Sequence, residues 1–294
     1  MNALAFIKDK FIYLFQLKNI ITIIAISLMF TSLSIAKGNE NSWLELKLKG
    51  KVKSIKEKKY EPSEKTSGIQ NLKHKESNTL VFYDNGFMIE KSILNPDGSL
   101  QKKSYYKYGE NGKMLELKIY DGYETLREKS TYDYDGNGKK IEQQGFYGNG
   151  NMAYKSTYNY DGNGFIIEEV KYKPDGSIYF KSIYLNDSNG KIIEEKRLKP
   201  DGTLDWRYTW RYDLNGNTIE TNWYKPDGSL IGKDTYGYDK NEMLIDRNNY
   251  KPDGSLKTKY TYSYDYDKNF NWVKKIESVN NEQFSIWERD IEYF

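Results

Sequence analysis

A glycine returns every 26 residues through most of this chain, at Gly86, Gly112, Gly138, Gly164, Gly190 and Gly216. The seventh place holds Glu242, where Tyr238-Asp239-Lys240-Asn241 keeps the rest of the motif. A second series runs at the same step through Gly98, Gly150, Gly176, Gly202, Gly228 and Gly254. In the unit that this series skips, Tyr120-Asp121-Gly122 sits close by but out of step. Five of the six prolines (Pro96, Pro174, Pro200, Pro226, Pro252) fall at one place in the repeat, which rules out coincidence. A fixed period of this length means stacked copies of one supersecondary unit.

The unit is legible in Tyr160 to Tyr184. It holds two turns, Asp161-Gly162-Asn163-Gly164 and Pro174-Asp175-Gly176-Ser177. In the second, proline presets φ, aspartate bonds back to the backbone and glycine accepts positive φ. In the first, asparagine and glycine supply the left-handed positions of a hairpin loop. About eight residues remain between turns, a normal strand length and too few for a helix with its loops.

The run after Pro-Asp-Gly alternates. Ile178, Phe180 and Tyr184 share one parity, as do Leu256, Tyr260, Tyr262 and Tyr264. The other parity carries Lys103, Lys129, Lys155, Lys181, Arg207, Lys233 and Lys259, with threonine two residues on in most units. The run after the first turn gives Ile89, Leu115, Ile141, Ile167, Ile193, Ile219, Ile245 and Val273, each but the last followed by an acid. Folding the hairpin sets the aliphatic residue opposite the late tyrosine and the acid on the lysine face, where cross-strand pairs contribute ~0.2–1 kcal/mol each. Tyr172, Tyr224 and Tyr250 break this parity and should face the lysine side unless a bulge intervenes.

The fold expected is all-β: tandem 26-residue β-hairpin repeats in a continuous twisted antiparallel meander, an open or partly curled sheet. Residues 1–36 read as an export signal, with Lys8, Lys10 and Lys18 before an apolar run from Ile20 to Phe30 and a small-residue site at Ser34-Ile35-Ala36. An uncleaved signal is the one route to membrane attachment that this reading allows. Residues 37–80 read as capping strands, starting at Trp43-Leu44-Glu45-Leu46, and a polar mobile loop from Pro62 to Asn78. Residues 81–270 form the array of about seven units, and 271–294 a C-terminal capping unit closed by a strand at Ile286 to Phe294.

Without residues 1–36 the chain keeps 42 basic and 41 acidic residues, a net near +1. That excludes the basic footprint of a nucleic-acid binder. With no cysteine, an exported chain has no disulfide framework. Its localisation is read as periplasmic, outer-surface or secreted.

The recurring Tyr-Asp-x-x-Gly-Asn element, as in Tyr212-Asp213-Leu214-Asn215-Gly216-Asn217, resembles the tyrosine-aspartate (Rhs-type) repeats of bacterial exported proteins, over roughly residues 80–270. The ending, Asn271-Trp272 with Glu288 to Tyr293, is similar to exported repeat proteins of Bacteroidetes-like bacteria. The Rhs resemblance implies antiparallel hairpins, curled in large members into a shell around a toxin.

No singular reactive constellation is present. Asp135-Gly136-Asn137-Gly138 has the start of a calcium loop but lacks its distal glutamate, so turn chemistry explains it. His74 is the only histidine, which excludes a clustered zinc site or a Cys–His pair. The repeated glutamates stand opposite lysines, as cross-strand pairs do. No catalytic residue, metal or cofactor is expected, and the chain is read as a non-enzyme.

The aromatics carry the functional reading. Tyr106, Tyr132, Tyr158, Tyr184, Trp210, Tyr236 and Tyr262 place one ring per unit at one height. Such a ladder is either the core of a thin sheet or a surface for sugar rings or a partner's side chains. Trp206, Trp210 and Trp223, with Tyr184 and Tyr236, are the candidate ligand-binding residues. The function expected is a non-catalytic exported protein presenting an extended β surface to an envelope or extracellular protein. The alternative is a glycan- or cell-wall-binding module.

Overall fold

The turns set the geometry. In the first type, Asp161 Oδ1 accepts from the N–H groups of Asn163 at 3.0 Å and Phe165 at 2.8 Å, while Gly164 donates to the Asp161 carbonyl at 3.0 Å. In the second, Asp175 Oδ1 accepts from the Ser177 N–H at 2.9 Å and its hydroxyl at 2.6 Å. Both leave the glycine left-handed, Gly164 at φ 86° and Gly176 at φ 83°. Where the series loses its glycine, Glu124 and Glu242 take the same backbone at φ 56° and 62°. Gly122, out of step in the sequence, is therefore not the residue that makes its turn. Asp135 clasps its turn like Asp161, accepting from Asn137 at 2.9 Å and Lys139 at 2.8 Å, so its Oδ1 is engaged by the backbone.

The computed structural model describes residues 42–63 and 72–294, and the expected leader, residues 1–36, lies outside them. The described residues hold eighteen strands. The first six are β1 (Val52–Pro62), β2 (Leu72–Phe82), β3 (Met88–Leu94), β4 (Leu100–Tyr108), β5 (Met114–Asp121) and β6 (Leu126–Tyr134). Then come β7 (Lys140–Tyr147), β8 (Met152–Tyr160), β9 (Ile166–Tyr172), β10 (Ile178–Asn186), β11 (Ile192–Leu198) and β12 (Leu204–Tyr212). The last are β13 (Thr218–Tyr224), β14 (Leu230–Tyr238), β15 (Leu244–Tyr250), β16 (Leu256–Tyr266), β17 (Trp272–Val279) and β18 (Glu282–Tyr293).

Each strand pairs antiparallel with its sequence neighbours, and β1 pairs with β18 as well as with β2. The sheet is a closed 18-stranded barrel, so the expected open or partly curled meander is corrected. Closure removes both edge strands, which an open array would have had to protect. The segments read as end caps do not end anything. β1 and β18 run antiparallel from Val52↔Tyr293 to Tyr60↔Ile286 and form the seam.

Two further expectations fail in this region. Trp43-Leu44-Glu45-Leu46 is not a strand: Ser42–Glu45 makes one helical turn. The polar stretch from Pro62 to Asn78 is not all loop, because β2 begins at Leu72 and pairs with β1 from there. Its polar residues suit a wall with water on one side, which a hydrophobicity pattern alone reads as loop.

The two faces of the wall differ in burial. One carries Ser156, Tyr158, Ser182, Tyr184 and Trp210, at 1%, 5%, 0%, 8% and 7% exposure. The other carries the repeated ion pairs, Lys103–Glu90 at 3.1 Å, Lys129–Glu116 at 3.1 Å, Lys155–Glu142 at 2.5 Å, Lys181–Glu168 at 2.6 Å and Arg207–Glu194 at 3.1 Å. Side chains converge inside a cylinder and splay outside it, so the aromatic face is the interior and the ion-pair face the exterior.

A register shift at the foot of each hairpin adjusts this pattern. Asn159 pairs with Glu168, but Tyr160 pairs with Ile166, leaving Ile167 as a bulge residue. The bulge puts Ile166 inside at 4% exposure and leaves Ile167 39% exposed beside the outward Glu168. The aliphatic series therefore does not face the tyrosines as the unbroken parity required. Leu115, Ile141 and Ile245, at 39%, 42% and 39% exposure, repeat the arrangement and form a hoop outside the barrel. Tyr224 and Tyr250 do lie on the basic face, under Arg207 at 4.0 Å and Lys233 at 4.7 Å.

Tyrosines that recur at the 26-residue step tie neighbouring strands together. Tyr134, Tyr160, Tyr212, Tyr238 and Tyr264 each donate a hydroxyl to the carbonyl 20 residues back, at 2.6–2.8 Å. Asn186 fills the one place in this run without a tyrosine, donating to the Ile166 carbonyl at 2.6 Å.

The segment from Ser42 to Gly50 lies across the rim made by the Tyr-Asp turns. The Trp43 N–H donates to the Gly86 carbonyl at 3.2 Å at one point of the rim, while Lys47 Nζ reaches the Glu242 carbonyl at 2.6 Å and Asn217 Oδ1 at 3.5 Å elsewhere on it. Asn271 fastens the segment from both sides of Lys49, accepting from its N–H at 2.8 Å and donating to its carbonyl at 2.8 Å. Leu48, Val52, Ile55, Leu80 and Phe82 form the apolar cluster beneath, with Trp43 and Ile291 packed against it.

Candidate binding surface on the barrel interior

Trp206 and Trp210 point inward from β12 and meet Trp223 of β13 through Tyr208. The Trp206 and Tyr208 rings are edge-on at 4.5 Å, Tyr208 stacks with Trp210 at 5.9 Å, and Tyr208 lies 6.4 Å from Trp223. Register explains the grouping, because Tyr208 stands directly opposite Trp223. No side chain separates Trp223 from the next strand, since its partner there is Gly232, and a Cβ on that glycine would come within 2.8 Å of the indole.

On its other side the cluster continues into charge. Arg197 of β11 lies between two rings, 3.8 Å from the Phe180 centroid and 4.4 Å from that of Trp206. Lys171 of β9 sits 3.8 Å over Tyr154, and burial pulls its pKa below the ordinary lysine value. The interior wall from β8 to β13 thus alternates rings and cations. Such contacts are worth ~0.5–1 kcal/mol in water and more when desolvated.

The other two candidates flank the group. Tyr184 of β10 is 8% exposed, and its hydroxyl is 3.3 Å from Glu169 Oε2. Burial drives its pKa well above the ordinary tyrosine value. Tyr236 of β14 lies beyond the tryptophans, with its hydroxyl 3.4 Å from Asp234 Oδ2. Asp234 is 3% exposed and is held by Arg247, whose Nη2 and Nε donate at 2.7 and 3.1 Å. The structure therefore brings the three tryptophans together and sets the two tyrosines one and two strands to either side.

Arg197, Lys171, Phe180, Tyr208, Glu169 and Glu195 were not among the sequence candidates. The signal for two of them lies in the doubled acids Glu168-Glu169 and Glu194-Glu195, because adjacent strand residues face opposite ways. Glu168 and Glu194 pair with outer cations, at 2.6 and 3.1 Å. Glu169 and Glu195 turn inward, and burial pushes Glu195 up to about 6, with Ser182 Oγ donating to it at 2.7 Å. His74 lies in β2, its Nε2 within 3.0 Å of the Glu76 carbonyl and 2.9 Å of Ser77 Oγ.

No protein-family model matches the chain, and comparison with curated proteins finds no match. Among solved structures it is similar to a porin-like protein from Bacteroides uniformis, with 12% identity over 83% of this chain and 98% of that one and a TM-score of 0.41. A porin-like protein from Bacteroides vulgatus gives the same identity and coverage at a TM-score of 0.36. The Tc holotoxin pore of Photorhabdus luminescens matches over 80% of this chain but 14% of its own length, at 15% identity and a TM-score of 0.34.

Proposed function

We propose that the protein is a non-catalytic, exported β-barrel that stands in water and takes a carbohydrate against its interior aromatic wall. The observation that carries this reading is the group Trp206, Tyr208 and Trp223, half-buried on the inner face of a barrel whose eighteen strands make it wider than its own side chains fill. Flat rings stack on sugar faces, while Arg197 and the inward Glu169 and Glu195 supply donors and acceptors for hydroxyls.

The exterior argues for water rather than lipid around the barrel. A transmembrane barrel needs an outward apolar band about 25 Å tall. Here Lys, Glu and Thr occupy the middle of the outer wall, and the apolar hoop at Ile141 and Ile167 is a single row.

The test is co-sedimentation with insoluble cell-wall polysaccharide, competed by soluble sugar. Trp206→Ala with Trp223→Ala should abolish the competable fraction while leaving the urea midpoint nearly in place. Unchanged binding in that variant contradicts the reading.

A protein partner is the second reading, and one observation favours it. Leu214 and Phe270, at the tips of Tyr-Asp turns, are 107% and 74% exposed on the same rim as the aliphatic hoop. Leu214→Ser with Phe270→Ser should weaken crosslinking to an envelope protein under this reading and leave polysaccharide binding unchanged.

A further inference from the structure

The seam between β18 and β1 carries an interior cluster that the repeats do not reproduce. Register sets it in two adjacent rows. Lys275, Trp287 and Lys59 lie side by side across β17, β18 and β1, and Arg289, Glu57 and Asn78 form the next row across β18, β1 and β2. Arg289 lies 3.5 Å over the Trp272 ring; Lys275 Nζ is 5.6 Å from that ring and 4.9 Å from Trp287, which Lys59 approaches at 5.3 Å. Three cations are thus packed around two indoles.

The nearby carboxylates are already engaged. Glu57 accepts from Arg289 Nε at 2.8 Å and Asn78 Nδ2 at 3.3 Å, Glu61 pairs with Lys59 at 2.7 Å, and Glu277 accepts from Ser285 at 3.0 Å. Lys275 has no carboxylate within ion-pair distance among the described residues, and burial pulls its pKa down. The Arg289 side chain is 6% exposed, yet its Nη1 has no hydrogen-bond partner. The same holds for Trp287 Nε1 and Asn78 Oδ1, so three of the five orphaned buried side-chain atoms among the described residues lie on this seam. A buried polar atom left without a partner is destabilising, most of all when the group is charged.

We propose that the seam is an oxyanion site that takes a carboxylate carried on a hydroxylated skeleton, the chemistry of a sugar acid. The carboxylate accepts from Arg289 Nη1, Trp287 Nε1 and the Lys275 ammonium, two of the three hydrogen bonds being charge-assisted. A neighbouring hydroxyl donates to Asn78 Oδ1. Ring faces at Trp272 and Trp287 flank the skeleton. This site shares no residue with the Trp206 wall, so it stands whether or not that wall binds sugar.

The experiment is calorimetric titration of the purified protein with glucuronate, glucose and inorganic phosphate. In the Trp206→Ala, Trp223→Ala background, where the other wall is silent, glucuronate should bind saturably and glucose should not. Adding Lys275→Met to that background should weaken glucuronate about tenfold or more, as loss of a charge-assisted hydrogen bond requires. Arg289→Lys keeps the charge but cannot hold Glu57 through Nε and the carboxylate through Nη1 together, and should weaken binding too; Lys275→Met decides the matter if that variant does not fold. Phosphate competing with glucuronate supports a shared oxyanion pocket. Phosphate binding in place of glucuronate overturns the carboxylate assignment. Binding of neither anion, or affinity unchanged in Lys275→Met, overturns the site.

Discussion

Ile55 stands opposite Ile291 in the ladder between β1 and β18, and opposite Leu80 in the ladder between β1 and β2. One residue near the start of the described chain thus joins its last strand to its second. Ile55 is 0% exposed, inside the apolar cluster beneath the Ser42–Gly50 segment.

Ile55→Ala should therefore destabilise the protein by about 2–5 kcal/mol, the usual cost of emptying a packed aliphatic site. The outward neighbour Lys56→Ala should stay within about 0.5 kcal/mol of the parent. Urea denaturation at constant slope separates the two cases.

Tyr160→Phe removes a hydroxyl that bonds the Lys140 carbonyl at 2.7 Å. The expected loss is about 0.5–1.5 kcal/mol, rising if the carbonyl stays dry. Tyr212→Phe removes the equivalent bond to Ile192 at 2.6 Å. The two sites share no partner, so the double variant should lose the sum of the single losses.

Glu195 gives a pH dependence of unusual sign. Burial raises its folded pKa to about 6, above the ordinary glutamate value of 4.5. The folded state therefore holds this proton more tightly than the unfolded chain. Its contribution to stability is full below the unfolded pKa and is lost as pH rises through the folded one. Glu195→Gln should gain on the parent as pH climbs from about 4.5 to about 6 and hold that gain above it. Parallel stability curves for the two proteins across this window would contradict the assignment.

The outer ion pairs predict behaviour toward lipid. Lys155–Glu142 and Lys181–Glu168 lie within the wall, where an inserted barrel would present them to hydrocarbon at about 2–4 kcal/mol per basic residue. The folded protein should stay in the aqueous phase on detergent phase separation and float with no liposome fraction. Insertion into vesicles would reverse the assignment of the two faces.

The sequence disclosed what is local. The turn positions, the aspartate clasps and the pairing of Glu168 with Lys181 follow from a 26-residue step and a two-residue alternation. The outward swing of Ile167 was hidden because a bulge is one extra residue with no composition of its own. Closure was hidden for a different reason. It depends on how far the sheet coils over eighteen strands and on the match between Val52–Tyr60 and Ile286–Tyr293, segments far apart in the chain and outside the repeat. At the candidate site, three tryptophans could be singled out by their sequence clustering. Arg197 and Lys171 could not, since cations in a charged strand look solvent-facing until the doubled acids reveal which parity turns inward. The seam cluster belongs to no repeat, so no period pointed to it.

The closed barrel is tested most directly by the distance between β1 and β18. The chain has no cysteine, so Lys56→Cys with Asp290→Cys gives two unique labelling sites at exposed, directly paired positions. Spin labels there should report the close approach of adjacent strands, whose backbones lie about 5 Å apart. A separation of tens of ångströms, as between the two edges of an open sheet, would contradict closure and with it the division of the wall into an interior and an exterior.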